Sequence, residues 1–316
     1  MIHRDTLHNR LVVVVGGSGF LGQHIVQDLL GRGARVRIAC RHAKKAFALK
    51  PLASLGQLQV LPCDVTKPET VRIVMQGADA VVNLAGAFGH DMEAMMARGA
   101  GTVAQLARDA GAQNLVHVSA IGADTDSASA YGKAKAEGEN YVRKVFAKAT
   151  IIRPSVVFGE ESGLIPLLAG KISQYPVIPV FAPDAKLQMV YVDDVADAVV
   201  AALSDSARHG GKTYELGGPE TITMMELGQR IAASQMRKRH FIRLPDGVSG
   251  AISYIPFSPM GRDQWLMLKE GNEVSGDLPG LAQLGIKARP LDLYLDRWMV
   301  RYRKHGRFTA SGPLTS

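Results

Sequence analysis

Cysteine is nearly absent: only Cys40 and Cys63 occur in 316 residues. Two cysteines cannot build a disulfide framework, nor a structural zinc site on their own. The nine histidines form no HExxH-type pattern. No apolar run reaches the ~20 residues of a membrane span. The opening MIHRDTLHNR has no apolar core and carries Asp5. It reads neither as a secretory signal nor as a mitochondrial presequence. A cytoplasmic chain is expected, peripheral on the inner face of the membrane, or a matrix-side one if already processed. Aromatics are 6% against 33 glycines, which favours α/β over a β-sandwich. No zinc finger, basic region or RNA-binding aromatic motif supports nucleic-acid recognition.

What is present is a globular composition, 47% hydrophobic and 21% charged, with a net charge of +8. Excess positive charge suits phosphates, anionic cofactors or acidic surfaces, and equally a solvated basic face.

The first 155 residues alternate strand and helix. Strands are expected at residues 11–15, 36–40, 58–61, 80–84, 115–119 and 150–153. Helices are expected at 20–31, 69–76, 92–110 and 134–146. Such βαβ units predict a parallel sheet covered on both faces. The expected class is α/β, a Rossmann-like doubly wound parallel sheet. Residues 1–155 would form the dinucleotide-binding domain, with a return segment at about 186–216. That segment holds a strand at 190–192 with a helix at 195–203, and a strand at 213–216. A further helix is expected at 225–234. Residues 156–185 and 217–316 would form a smaller substrate or partner domain.

The loop Gly16-Gly17-Ser18-Gly19-Phe20-Leu21-Gly22 follows a strand and opens a helix. Its glycines permit a tight turn, close approach to a pyrophosphate and close helix packing. The helix N-terminus supplies N–H donors to phosphate. The second strand ends in Cys40-Arg41, with no acid to hold a ribose 2′-OH. Arg41, with Lys44 and Lys45 nearby, suits the 2′-phosphate of NADP(H). The alternative is NAD(H), with these three residues merely solvated.

Tyr131 and Lys135 lie four apart and share a helix face. A neighbouring ammonium favours phenolate, so Tyr131 could exchange a proton with a carbonyl or alcohol. Ser119, twelve residues before Tyr131, could hold the reacting oxygen.

Together the glycine loop, Asn83-Leu84-Ala85-Gly86, Ser119 and the YGKAK stretch resemble the short-chain dehydrogenase/reductase superfamily. IRPSVVFG at 152–159 and VYVDDVA at 190–196 resemble its extended and atypical branches, the NAD-dependent epimerase/dehydratases. Within these the chain is similar to the Rossmann-fold accessory subunit of respiratory NADH:ubiquinone oxidoreductase, the alpha-subcomplex subunit 9 family, and its bacterial relatives. The similarity covers about residues 11–235, with an echo at Asp263-Gln264-Trp265.

The resemblance implies cofactor contacts along residues 16–22, including Ser18, Phe20 and Leu21. It places Arg41 on the 2′-phosphate, Asp64 near the adenine, and Ala85 and Gly86 along the cofactor. Tyr131 and Lys135 would flank the nicotinamide and its ribose. It implies complex I as a partner and NADP(H) held without evident turnover. The intact Tyr131/Lys135 pair instead supports an oxidoreductase or epimerase acting on a sugar nucleotide, a steroid or an isoprenoid-like lipid. Ala120 stands where extended members often carry a second Ser or Thr, which leaves that role to Ser119.

Residues 247–261 carry no charge. They suit a substrate-pocket cover, a core segment, or a partner- or membrane-facing loop. Leu291, Leu295, Trp298, Met299 and Tyr302 form one helix stripe beside Arg297, Arg301, Arg303, Lys304 and Arg307. Such a stripe can lie on an anionic membrane or pack on the protein's own body.

Overall fold

The computed structural model describes residues 6–89, 91–161, 163–254 and 261–304. The chain divides into two compact units.

The first unit comprises residues 1–155, 192–217 and 274–288. Its strands are β1 (Leu11–Val15), β2 (Arg35–Cys40), β3 (Leu58–Pro62), β4 (Ala80–Asn83), β5 (Asn114–Val118), β6 (Thr150–Pro154) and β7 (Thr213–Leu216). They form one sheet in the order β7-β6-β5-β4-β1-β2-β3, every pair parallel. Val12, Val13, Val14 and Val15 are all buried, as an unbroken apolar strand covered on both faces must be. Helices α1 (Phe20–Gly31), α2 (Pro68–Met75), α3 (Gly99–Asp109), α4 (Ala130–Val145) and α5 (Val192–Ser204) are its longer helices. Strand order reverses between β1 and β4, and ligands of such sheets bind at the carboxyl ends of the strands there.

Three differences from expectation stand out. The helix expected over 92–110 begins as a π-helical turn, Glu93–Arg98, before α3. Helix α4 starts at Ala130, four residues early, because Ser129 caps it and accepts from the Gly132 N–H at 3.2 Å. The short strand Val190–Tyr191 does not join the sheet; it pairs with Val157–Phe158 in the second unit. The segments differ likewise: residues 186–191 lie in the second unit, and 274–288 belong to the first.

The second unit packs helices Leu164–Gln174, Met224–Ser234 and Asp292–Met299 around Phe158, Ile172, Leu187, Leu227 and Ile231. Leu291, Leu295, Trp298 and Met299 are buried in this core, with Tyr302 packed against it. The stripe therefore packs on the protein's own body. Arg301 donates to the Glu160 carbonyl and Arg303 to the Ser234 carbonyl. Residues 247–253 of the uncharged segment lie in the helix Asp246–Ser253; 255–260, like Arg307 and Asp5, fall outside the described residues. Asp263, Gln264 and Trp265 lie in the helix Arg262–Glu270. No described helix is long and apolar enough to cross a membrane.

Two glycines give a paired stability test. A Cβ on Gly138 would stand 2.2 Å from the Met96 carbonyl oxygen, a backbone atom with no room to yield. Gly31 ends α1 with nothing within 4 Å of the same position. Gly138→Ala is expected to destabilise by about 1–3 kcal/mol. Gly31→Ala is expected to be neutral or to stabilise by about 0.5–1 kcal/mol. Urea unfolding of both variants checks this; equal costs would show that the close approach is not real.

Candidate functional site

A cleft of about 390 Å³ opens at the carboxyl ends of β1, β2, β3 and β4. Its floor is the turn after β1. Gly16 has φ +84°, a conformation that favours glycine, and a Cβ there would press on Leu84 at 3.3 Å. Gly22 sits over the turn: its Cβ would stand 2.5 Å from the Gly16 carbonyl oxygen. Gly19 N–H donates to that same carbonyl at 3.0 Å. Gly19 is also the N-cap of α1 and has no side chain to accept from the first-turn amides. No acid lies in that turn. A helix start without a side-chain cap or an acid suits an external anion, which its N–H donors and dipole would favour.

The wall after β4 is pinned from inside. Asn83 is fully buried, and its Oδ1 accepts from the Ala85 N–H at 3.1 Å. Its Nδ2 donates to His117 Nδ1 at 3.1 Å, which puts the imidazole proton on Nε2. Burial first, then Lys135 and Arg143, push the His117 pKa down to about 3, so the ring is neutral. Its Nε2 has no partner among the described residues.

At the far end the cleft is lined by Cys40, Arg41, His42, Lys45, Asp64 and Thr66. Cys40 closes β2 and is buried, and Arg41 is exposed beside it. Asp64 is held below the usual carboxylate range, chiefly because Thr66 donates its hydroxyl and its N–H to it; Arg41 contributes less. Burial raises the Cys63 thiol to about 11, so it is protonated and inert at neutral pH.

Of the residues expected from sequence, Gly16, Ser18, Gly19, Arg41, Asp64, Ala85 and Gly86 line this cleft. Phe20, Leu21 and Gly22 do not. Phe20 packs edge-on to His24, and Gly22 serves the turn. Lys44 is not on the wall, whereas Lys45 and His42 are. Lys45 was expected together with Lys44, whereas nothing in the spacing of His42 marked it.

Tyr131, Lys135 and Ser119 sit beside the cleft. Lys135 is buried, and its Nζ donates to the Val118 carbonyl at 2.9 Å. That Nζ lies 3.1 Å from where a Cβ on Gly86 would stand. It is 5.7 Å from the centre of the Tyr131 ring. Tyr131 is half-buried, stacked on Phe88 with centroids 4.4 Å apart. Ser119 follows Val118; its hydroxyl is buried and hydrogen-bonded to neither Tyr131 nor Lys135. Tyr131 and Lys135 thus come together, with Ser119 adjacent but unlinked. Behind them Glu139 is buried and takes Arg153 through both oxygens at 2.8 and 2.9 Å, and Arg143 at 2.9 Å. This anchor was not legible beforehand, because it joins a helix residue to a strand residue fourteen positions on.

A glycine cradle, uncapped first-turn amides and a basic far wall define a dinucleotide-binding protein of the Rossmann class, and the residues fit the phosphates of such a cofactor. The chain belongs to the NAD dependent epimerase/dehydratase family, whose profile matches residues 12–217. It is 30% identical to the "NADH dehydrogenase [ubiquinone] 1 alpha subcomplex subunit 9, mitochondrial" of Arabidopsis thaliana, over 96% of this chain and 80% of that one. It is 29% identical to the "Ceramide reductase" of Caulobacter vibrioides, over 75% and 74%. Among solved structures it resembles an NADPH-dependent quinone oxidoreductase from Escherichia coli in complex with NADPH. That match has a TM-score of 0.71 at 18% identity and covers 90% of this chain and 99% of that one.

Lys135 yields a test that separates a ligand role from a structural one. Burial outweighs the help from Glu139 and lowers its pKa from 10.5 to about 8. Between pH 8 and 10.5 the unfolded chain holds a proton that the native chain has lost, so stability rises with pH there. Below pH 8 the full penalty is present. Lys135→Met should therefore stabilise the free protein at pH 7 by roughly 1–3 kcal/mol, the lost bond to Val118 offsetting part of the gain. The gain should shrink above pH 8. Chemical denaturation across this range checks it; a destabilised variant at pH 7 would show that Lys135 is there for the fold.

Proposed function

We propose that this chain is an NADP(H)-binding accessory or assembly factor of respiratory NADH:ubiquinone oxidoreductase. The observation that carries the cofactor choice is the end of β2. A buried Cys40 stands where an acid would hold the 2′-hydroxyl, and Arg41, His42 and Lys45 face the cleft beside it. A guanidinium there pairs well with a 2′-phosphate and would leave NAD(H) without an anchor. The similarity to a subunit of that complex over nearly the whole chain supports the accessory role. Attachment to the membrane would come through that complex. In this reading the bound nucleotide stabilises the fold, and residues 16–19, Arg41, Ala85 and Gly86 hold it, with Asp64 toward the adenine.

NADPH should bind at least about tenfold more tightly than NADH, and Arg41→Ala should remove the difference. Calorimetry with both cofactors decides this. Equal affinities, unmoved by the substitution, would refute the assignment.

A second reading has its own observation. The buried Lys135 beside Gly86, the stacked Tyr131 and the unsatisfied Ser119 hydroxyl form a set suited to reduction of a carbonyl by nicotinamide. The cofactor would supply the hydride. Tyr131 would pass the proton, Lys135 would bias the phenol and hold the ribose, and Ser119 would steady the reacting oxygen. If the protein turns over a carbonyl or alcohol substrate, Tyr131→Phe should abolish kcat and leave NADPH affinity nearly intact. Lys135→Ala should weaken both. Full turnover in Tyr131→Phe would remove Tyr131 from the chemistry.

A further inference from the structure

The second unit contains a cavity of its own, about 540 Å³, within the ~300–1,000 Å³ usual for small-molecule sites. It lies between the helices Leu164–Gln174 and Met224–Ser234 and the parallel strand pair Val177–Val180 and His240–Arg243. The inner wall is hydrocarbon: Ile172, Ile178 and Met224 are each 5% exposed or less. The rim is open, with Leu167 51% and Tyr175 56% exposed. At Gly228 the missing side chain matters, because a Cβ would stand 2.9 Å from the Phe241 ring. Glycine lets that ring lie against the helix as part of the wall.

Among the described residues, Lys171 is the one charged side chain in the lining. It is half-buried, and its ammonium has no ion pair or hydrogen bond among the described residues. A sugar or a nucleotide would find almost no groups to pair with in such walls. An amphipathic helix would bring polar groups along its other face, and this lining offers them a single charged partner. A lone cation on a hydrocarbon cavity complements one chemistry, a long apolar tail ending in an anion.

We infer that this cavity binds a single acyl chain with an anionic terminus, the fatty-acid class, with the carboxylate on Lys171 and the tail against Ile172, Ile178 and Met224. The site is built wholly from the second unit and does not depend on the reading of the dinucleotide cleft.

The test is fluorescence titration of the full chain with cis-parinarate, followed by competition. Saturable binding is expected, and palmitate should compete better than laurate, gaining roughly two- to fourfold per methylene until the cavity is full. Methyl palmitate should compete about tenfold less well than palmitate. Lys171→Gln should erase the difference between acid and ester. Leu168→Trp, which fills the space, should weaken parinarate binding at least about tenfold. Val180→Phe fills the same space if the first variant melts more than a few degrees below the parent. No saturable uptake, uptake indifferent to a folded filling variant, or an acid–ester difference that survives Lys171→Gln would each overturn the proposal. So would Lys171-dependent flotation with phosphatidylglycerol vesicles in a protein that takes up no free fatty acid, since the rim would then be a membrane contact.

Discussion

The first unit depends on a backbone approach that no side chain could survive. Gly22 lies so close to the Gly16 carbonyl that a Cβ would sit 2.5 Å away. This contact sets the start of α1 against the end of β1, at the point where the sheet order reverses. Gly19, the N-cap of α1, lies on the cleft wall and has no side chain to cap the first turn. An uncapped helix start without acidic residues suits an anion, and Arg41 and Lys45 after β2 add positive charge to the same cleft.

The opposite wall is built by a different means. Buried polar groups in a chain hold it: Ala85 to Asn83, Asn83 to the neutral ring of His117, and Lys135 to the Val118 carbonyl. A buried polar network is costly when incomplete, and this one leaves His117 Nε2 and the Ser119 hydroxyl without partners. Lys135 adds a buried ammonium that burial disfavours, which is difficult to explain as a device for stability alone.

Most of the sheet is legible in the sequence, because strands buried on both faces read as continuous apolar runs such as residues 11–15. The glycine loop is legible for the same local reason: strand, turn and helix are contiguous. Most of what escapes is set by contacts between distant segments. The early start of α4 needed only Ser129, a local cap that could have been read. The π-helical turn at Glu93–Arg98 has no such mark, and it brings Met95 to the cleft. Asn83 and His117 were visible only as strand residues. Their pairing follows from the parallel register of β4 and β5, in which they are direct neighbours. Periodicity likewise reveals the stripe of Leu295 and Trp298 but not its partner, since packing inward and lying on a membrane ask for the same spacing.

The proposed role has two parts, a 2′-phosphorylated dinucleotide in the cleft and attachment to respiratory NADH:ubiquinone oxidoreductase. The most direct measurement is to isolate the protein with its native membrane partners and quantify the nucleotide released on denaturation. The account predicts about one NADP(H) per chain, recovered together with subunits of NADH:ubiquinone oxidoreductase. A protein recovered free of that complex and carrying only NAD(H), or no dinucleotide, would contradict it.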